Sequence, residues 1–198
     1  MSTLDTDVFV TRKAQAAADE QFIRRWSPRA FAGEPLEEAQ LMQLFEAARW
    51  SPSCFNSQPW RFIYAIRDTQ HWSGLFNLLM DMNQVWAQDA GALIAVVSKT
   101  TFDSGDAAPT HSFDTGSAWM AMALQAQSLG LASHAMWGFH HDQVPSALGL
   151  TEEYAVQAMV AVGKPGAVAS LPEKYQEREI PSPRKHIEDF AMPGKLRV

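Results

Sequence analysis

An α/β or α+β domain, with helices packed on a sheet, follows from three features of the 198-residue chain. Short runs rich in β-branched and aromatic residues alternate with longer stretches of helical periodicity, and that alternation places helices on the faces of a sheet. The apolar share of 46% and charged share of 19% belong to a folded chain and are too apolar for a disordered one. The length suits one domain, which commonly holds roughly 100 to 200 residues.

The first long helix is expected over 36–50, "LEEAQLMQLFEAARW", where Leu41, Leu44, Phe45 and Ala48 share one face. Pro35, Glu37 and Glu38 mark its start, Arg49 lies near its end, and Pro52 stops it. Strands are expected at "RFIYAIRD" (61–68), "ALIAVVSK" (92–99) and "AVQAMVAVG" (155–163), each short and rich in β-branched or aromatic residues. Helices are expected at 70–88 and 114–129; the second is apolar nearly all round, hence buried, and Gly130 is its C-terminal cap. The polar stretch 100–113 reads as a loop, either a lid or a disordered segment. From about Ala167 the chain carries four prolines and few apolar runs, so it is expected to wrap a surface and contribute no core.

Charge and cysteine usage exclude several classes. A net charge of −6 gives no general field for nucleic acid or an acidic membrane. The single cysteine, Cys54, rules out an internal disulfide framework and any multi-cysteine metal centre, which leaves the cytosol as the expected compartment. No basic and apolar leader opens the chain, and no run reaches the roughly 18 apolar residues of a membrane span.

Basic residues must then act locally. "RRWSPRAF" (24–31) gathers Arg24, Arg25, Ser27 and Arg29 where a helical stretch meets Pro28. Guanidinium forks match phosphate oxygens two at a time and a hydroxyl adds a neutral donor, although the same pattern suits a solvated charged face. Arg184 and Lys185, in "IPSPRKHIEDF", form a second basic pair that could converge on the same phosphate. "SPSCFNSQPW" (51–60) explains its Ser51, Pro52 and Ser53 as a turn, but its amides are what reading the edge of a heteroaromatic ring requires.

With these residues in hand, the sequence resembles the nitroreductase family of flavin mononucleotide (FMN) enzymes. The resemblance rests on Arg25-Trp26-Ser27-Pro28-Arg29-Ala30-Phe31, on Ala48 through Phe62, on "GLASHAMWGF" (130–139), on "VAVGKPG", and on "SPRKHIEDF". It covers nearly the whole chain, with the middle helices and the 100–113 loop matched by placement alone.

The resemblance implies an α+β fold with a central, mostly antiparallel sheet flanked by helices. It also implies one domain over 1–198, an intertwined homodimer, and a tail (167–198) that wraps the partner subunit. Arg25, Ser27 and Arg29, with Trp26 among them and Arg24 beside them, would grip the FMN phosphate and ribityl chain. Pro52, Ser53, Cys54, Asn56 and Gln58 would reach the flavin from the partner. Backbone N–H groups of Met136, Trp137 and Gly138 would face N5 and O4, and Arg184 and Lys185 would close the phosphate end. Asn83 would address the pyrimidine edge. Some relatives carry a lysine three residues later, where this chain has Trp86, which leaves Arg29 as the cation for the N1 and O2 side.

No dinucleotide-binding or phosphate-binding glycine loop is present, so a nicotinamide donor, NADH or NADPH, would stack directly on the flavin. The implied reaction is ping-pong, two-electron hydride transfer to nitroaromatics, quinones or similar electron-poor acceptors. Flavin N5 does the chemistry, and no side chain is singled out as catalytic. Cys54 reads as a small polarizable filler, with no base fixed beside it by sequence, and His134, His140 and His141 show no metal-ligand spacing. Dehalogenation, flavin fragmentation, azoline oxidation, or an FMN-binding module without catalysis remain open alternatives, because fold does not fix function.

Overall fold

The computed structural model describes residues 8–196. The ends of the domain expected over 1–198, residues 1–7 and 197–198, lie outside the described residues. Four strands form one sheet: β1 (Trp60–Ile66), β2 (Ala92–Lys99), β3 (Ala132–Met136) and β4 (Tyr154–Gly163), in the order β1-β2-β4-β3 with every neighbouring pair antiparallel. The α+β alternative therefore holds.

Period-two alternation along the strands divides the core between the two faces of the sheet. Leu93, Ala95 and Val97 of β2 join Met159 and Ala161 of β4 on one face. Ile94 and Val96 join Val160 and Val162 on the other. β2 lies between two strands under two layers, so its residues Ala92 to Ser98 are all buried.

The second face is covered by α2 (Glu38–Arg49) and α5 (His111–Ser128), which contribute Leu41, Leu44, Ala118 and Met122. A capping box between Glu37 and Gln40 starts α2. α5 begins three residues earlier than the sequence suggests. It ends as expected at Gly130 (φ +71°), where the N–H groups of Gly130 and Leu131 return to the carbonyls of Gln127 and Ala126 in a Schellman closure.

The first face is covered by α3 (Trp72–Phe76) and α4 (Asp81–Ala87), where the sequence suggests one continuous helix. The helix breaks because Leu79 bridges Phe139 and the His140 N–H donates to the Leu78 carbonyl, while Gln84 Nε2 caps the freed carbonyls of Phe76 and Leu79. Short α1 (Glu20–Arg24) precedes the basic segment, and α6 (Val144–Leu148) links β3 to β4.

Residues 100–110 form a tied turn, with Thr101 bridging Ala107 and the Ala108 N–H bonded to the Thr100 carbonyl. The tail first covers its own chain, contrary to the expectation that it contributes no core. Leu171 and Tyr175 of α7 (Glu173–Gln176) and the turn before it enter the core, and the Tyr175 hydroxyl donates to the Met82 carbonyl. Among the described residues no helix is long and apolar enough to cross a membrane.

Candidate functional site

Three segments distant in sequence enclose a polar cavity of about 360 Å³ beside β3: the N-terminal Arg12, the stretch 25–29, and the tail from Arg178 to Arg184. Arg25 closes α1 in an extended conformation, and Pro28 keeps the next residues out of a helix. Arg25, Ser27, Arg29 and Arg184 all line the cavity, so the two basic clusters from opposite ends of the sequence meet. Arg25 Nη1 donates to Ser27 Oγ at 3.3 Å.

The cavity's charge is nearly uncompensated. Glu179 is the one carboxylate of these segments turned toward the arginines, 3.9 Å from Arg29 Nη1, and its side chain is fully buried. It accepts the N–H groups of Arg29 and Ala30, yet burial outweighs those donors and raises its pKa. Its Oε2 has no hydrogen-bond partner among the described residues. Burial lowers the Arg25 pKa, with Arg184 adding to the shift. Burial, followed by the charges of Arg184 and Arg25, brings Arg12 down to about 10. Like charges held this close fit an anion with several acceptor oxygens, such as a phosphate monoester.

His134 of β3 forms the inner wall, its ring 4.7 Å from that of Trp86. Its Nδ1 is 3.0 Å from the Pro28 carbonyl, which can only accept, so Nδ1 carries the proton. Burial, opposed by that bond and reinforced by Arg29 and Arg25, lowers the imidazole to about 4. A neutral ring therefore faces the cavity near neutral pH.

β3 leads from this cavity to the second group of residues. At roughly 3.3 Å per residue, the three steps from His134 to Trp137 span about 10 Å. There Asn83 Nδ2 donates to the Gly138 carbonyl at 2.9 Å, and the Met80 N–H bonds the same oxygen at 3.0 Å. A Cβ on Gly138 would stand 2.7 Å from Asn83 Nδ2, so glycine is what permits this approach. Met136 is buried, whereas Trp137 is exposed and rests on the ring of His141. Trp86 is a core side chain, 1% exposed and stacked on Phe31, so no cation enters the site from this position.

The third group, Pro52 to Gln58, precedes β1 at the opposite edge of the sheet from β3. Across four strands that separation is about 14 Å, and none of Ser53, Cys54, Asn56 and Gln58 lines the basic cavity of its own chain. Phe55, Asn56 and Gln58 all have left-handed backbone, with φ of 52°, 55° and 47°. Three such non-glycine residues within four positions store strain, which clusters at functional sites. The loop is held from below: buried Asp114 accepts the Cys54 N–H at 3.1 Å and the Thr110 hydroxyl at 3.0 Å, and Ser53 Oγ accepts the Gln58 N–H.

Some expected residues are not brought to the cavity. Arg24 pairs with Glu20 at 2.8 Å and lies over Phe9, and Lys185 lines a neighbouring groove with Lys13 and Phe22. Trp26 is buried and lines the cavity wall. Sequence reasoning missed Arg12, Arg178, Glu179 and Ser182, because charged and polar residues in polar stretches such as Arg12-Lys13 and Glu177-Arg178-Glu179 carry no signal of which one the fold will bury. Among the described residues no group of three or more His, Cys, Asp or Glu could hold a metal.

Comparison with known proteins shows the family and the fold. The profile described as the Nitroreductase family matches residues 23–81 and 67–164. The fold and site define an oxidoreductase class, and the chain belongs to the nitroreductase family. A solved structure described as an oxidoreductase containing FMN is 39% identical, covering 94% of this chain and 96% of its own at a TM-score of 0.91. A protein named NADH dehydrogenase from Thermus thermophilus is 25% identical over 191 residues, or 82% of this chain and 91% of its own length. A nitroreductase family protein from Clostridium difficile, 22% identical, covers 91% of this chain and all of its own at a TM-score of 0.69, which shows the shared fold.

Proposed function

We propose that this chain is an FMN-dependent NAD(P)H oxidoreductase that works as a homodimer and reduces nitroaromatics, quinones or similar electron-poor acceptors. The observation that carries the reading is the meeting of Arg25, Ser27, Arg29 and Arg184 on one polar cavity with a single buried carboxylate behind it. That donor set fits the phosphate of FMN and is poorly served by water alone.

Bound FMN would supply an N5 that accepts a hydride from a nicotinamide and passes it to an acceptor. The chain's own residues do the rest. Arg25, Arg29 and Arg184 hold the phosphate, and neutral His134 fills the wall without adding a proton near pH 7. Asn83 fixes the Gly138 carbonyl, so the main chain of Met136 to Gly138 is presented at a set angle to the ring. Backbone donors there favour developing negative charge without a titratable group. Donor and acceptor would take turns at one open face, which is ping-pong behaviour.

Ser53, Cys54, Asn56 and Gln58 would complete the site of a partner copy. Their placement at the far edge of the sheet supports that split, as do the exposed side chains of Trp50, Phe55 and Phe113 around them. An obligate interface of this kind commonly buries more than about 2,000 Å². The exposed end of the tail, including Ile187 and Phe190, would add to it.

Gel filtration of protein equilibrated with FMN, with flavin and protein quantified in each fraction, tests the reading. A dimer carrying about one FMN per chain is expected. A monomer that retains flavin contradicts the split site, and a protein that releases all flavin contradicts the cofactor.

A further inference from the structure

Arg12 lies outside every segment that resembles the family's flavin-binding motifs, yet it is 8% exposed and lines the basic cavity. Its Nε donates to the Ser182 carbonyl at 3.0 Å, and its Nη1 donates to the carbonyls of Ile23 and Arg25 at 2.8 and 2.7 Å. One guanidinium therefore ties the N-terminal segment, the end of α1 and the tail together. The neighbouring Thr11 hydroxyl reinforces the link by donating to the Pro181 carbonyl at 2.7 Å.

These bonds use three of the five N–H groups of the side chain. The two on Nη2 have no partner among the described residues, and Arg12 makes no ion pair with a carboxylate there. A buried guanidinium without a counter-ion is costly, and here Arg25 and Arg184 add like charge. An anion in the cavity would supply the missing acceptors and offset all three charges.

We propose that Arg12 is a further phosphate-binding residue, its Nη2 donating to the phosphate while its other three N–H groups hold the backbone carbonyls of Ile23, Arg25 and Ser182 around the same cavity. This rests on the FMN reading above and extends it to a residue outside the resembling motifs. It also explains why the N-terminal segment and the tail are joined at this point: the joint is part of the anion site.

The test compares FMN with riboflavin, which lacks the phosphate, by titrating the flavin-free full-length chain and following flavin fluorescence. In wild type, FMN should bind more tightly than riboflavin; equal affinities would overturn the FMN-phosphate reading itself and Arg12's role with it. If wild type discriminates, Arg12→Met should weaken FMN by about tenfold or more, the scale of one charge-assisted hydrogen bond, while riboflavin changes less than about twofold. Equal losses for both ligands would mean that Arg12 only supports the fold, and no loss for either would mean that it does not reach the ligand; both overturn the proposal. Should Arg12→Met fail to fold, Arg12→Lys decides on the same ratio, because it keeps the charge and loses the planar fork.

Discussion

The Glu179 carboxylate accepts the N–H groups of Arg29 and Ala30, 150 and 149 residues earlier in the chain, at 2.6 and 2.8 Å. Through these two bonds the tail fixes the backbone of the basic segment, and the same side chain lies 3.9 Å from the Arg29 guanidinium. Replacing Glu179 with Ala removes Oε1, the one oxygen that accepts both bonds, and leaves one part-buried and one buried N–H group unpaired. The expected cost is about 2 to 6 kcal/mol of stability, from roughly 1 to 3 for each of the two unsatisfied groups, measured by urea unfolding. Glu179→Gln keeps one acceptor oxygen and should lose less.

Arg25→Ala and Arg29→Ala should each weaken FMN binding by about 1.5 to 3 kcal/mol, the usual worth of a hydrogen bond to a charged group. Arg24→Ala should not, since its guanidinium is committed to Glu20 on the surface. Equilibrium titration of the flavin-free chain checks the contrast. Equal effects at positions 24 and 25 would remove the distinction drawn from the cavity lining.

His134 makes stability depend on pH. Its folded pKa is about 4 against 6.5 in a free imidazole, so unfolded chains take up a proton first as pH falls. The stability held by the neutral ring is full above about pH 6.5 and is lost toward pH 4, a term on the order of 3 kcal/mol at 1.36 kcal/mol per pKa unit. Glu179, whose pKa burial raises, acts in the opposite direction, so the useful quantity is the difference between wild type and His134→Gln at each pH. That difference should shrink in flavin-free protein from pH 7 to pH 4.5, as followed by thermal melts. A constant difference would mean that the ring is not buried as neutral imidazole.

Strain in the 53–58 loop predicts a trade between stability and binding. Gln58→Gly relieves a left-handed residue at φ 47°, so the fold should be unchanged or stabilised by up to about 1 kcal/mol while flavin affinity falls. Cys54→Ser should retain most activity, because the bond from residue 54 to Asp114 uses its main-chain N–H. Asn56→Ala should lose affinity or rate. A dead Cys54→Ser enzyme with flavin still bound would restore a thiol-based mechanism.

Much of this arrangement was legible in sequence because local chemistry and tertiary role coincide. Short β-branched and aromatic runs and helical periodicity placed three strands and α2, and Gly130 marked the end of α5 correctly. β3 was missed because "ASHAM" is short, with small and polar residues that reveal no β-branched pattern. The break between α3 and α4 depends on Leu79 pairing with Phe139, a contact between residues far apart in sequence. Arg25 and Arg184 were legible as basic clusters, whereas Arg12 sits in "TRKAQ", where only burial against the tail distinguishes it from a solvated charge. Trp86 drew notice as a departure from relatives; its stacking on Phe31 shows that the position is filled by core.

The central claim is that this chain reduces bound FMN with a nicotinamide and passes the electrons to an electron-poor acceptor. Anaerobic stopped-flow of the FMN-loaded protein tests it most directly, following the yellow flavin absorbance on mixing with NADH or NADPH and then with a nitroaromatic or quinone. Bleaching by at least one nicotinamide, followed by full recovery of colour on adding acceptor after the donor is exhausted, is the result expected. A protein that binds FMN in the basic cavity and stays yellow with both nicotinamides would contradict the claim.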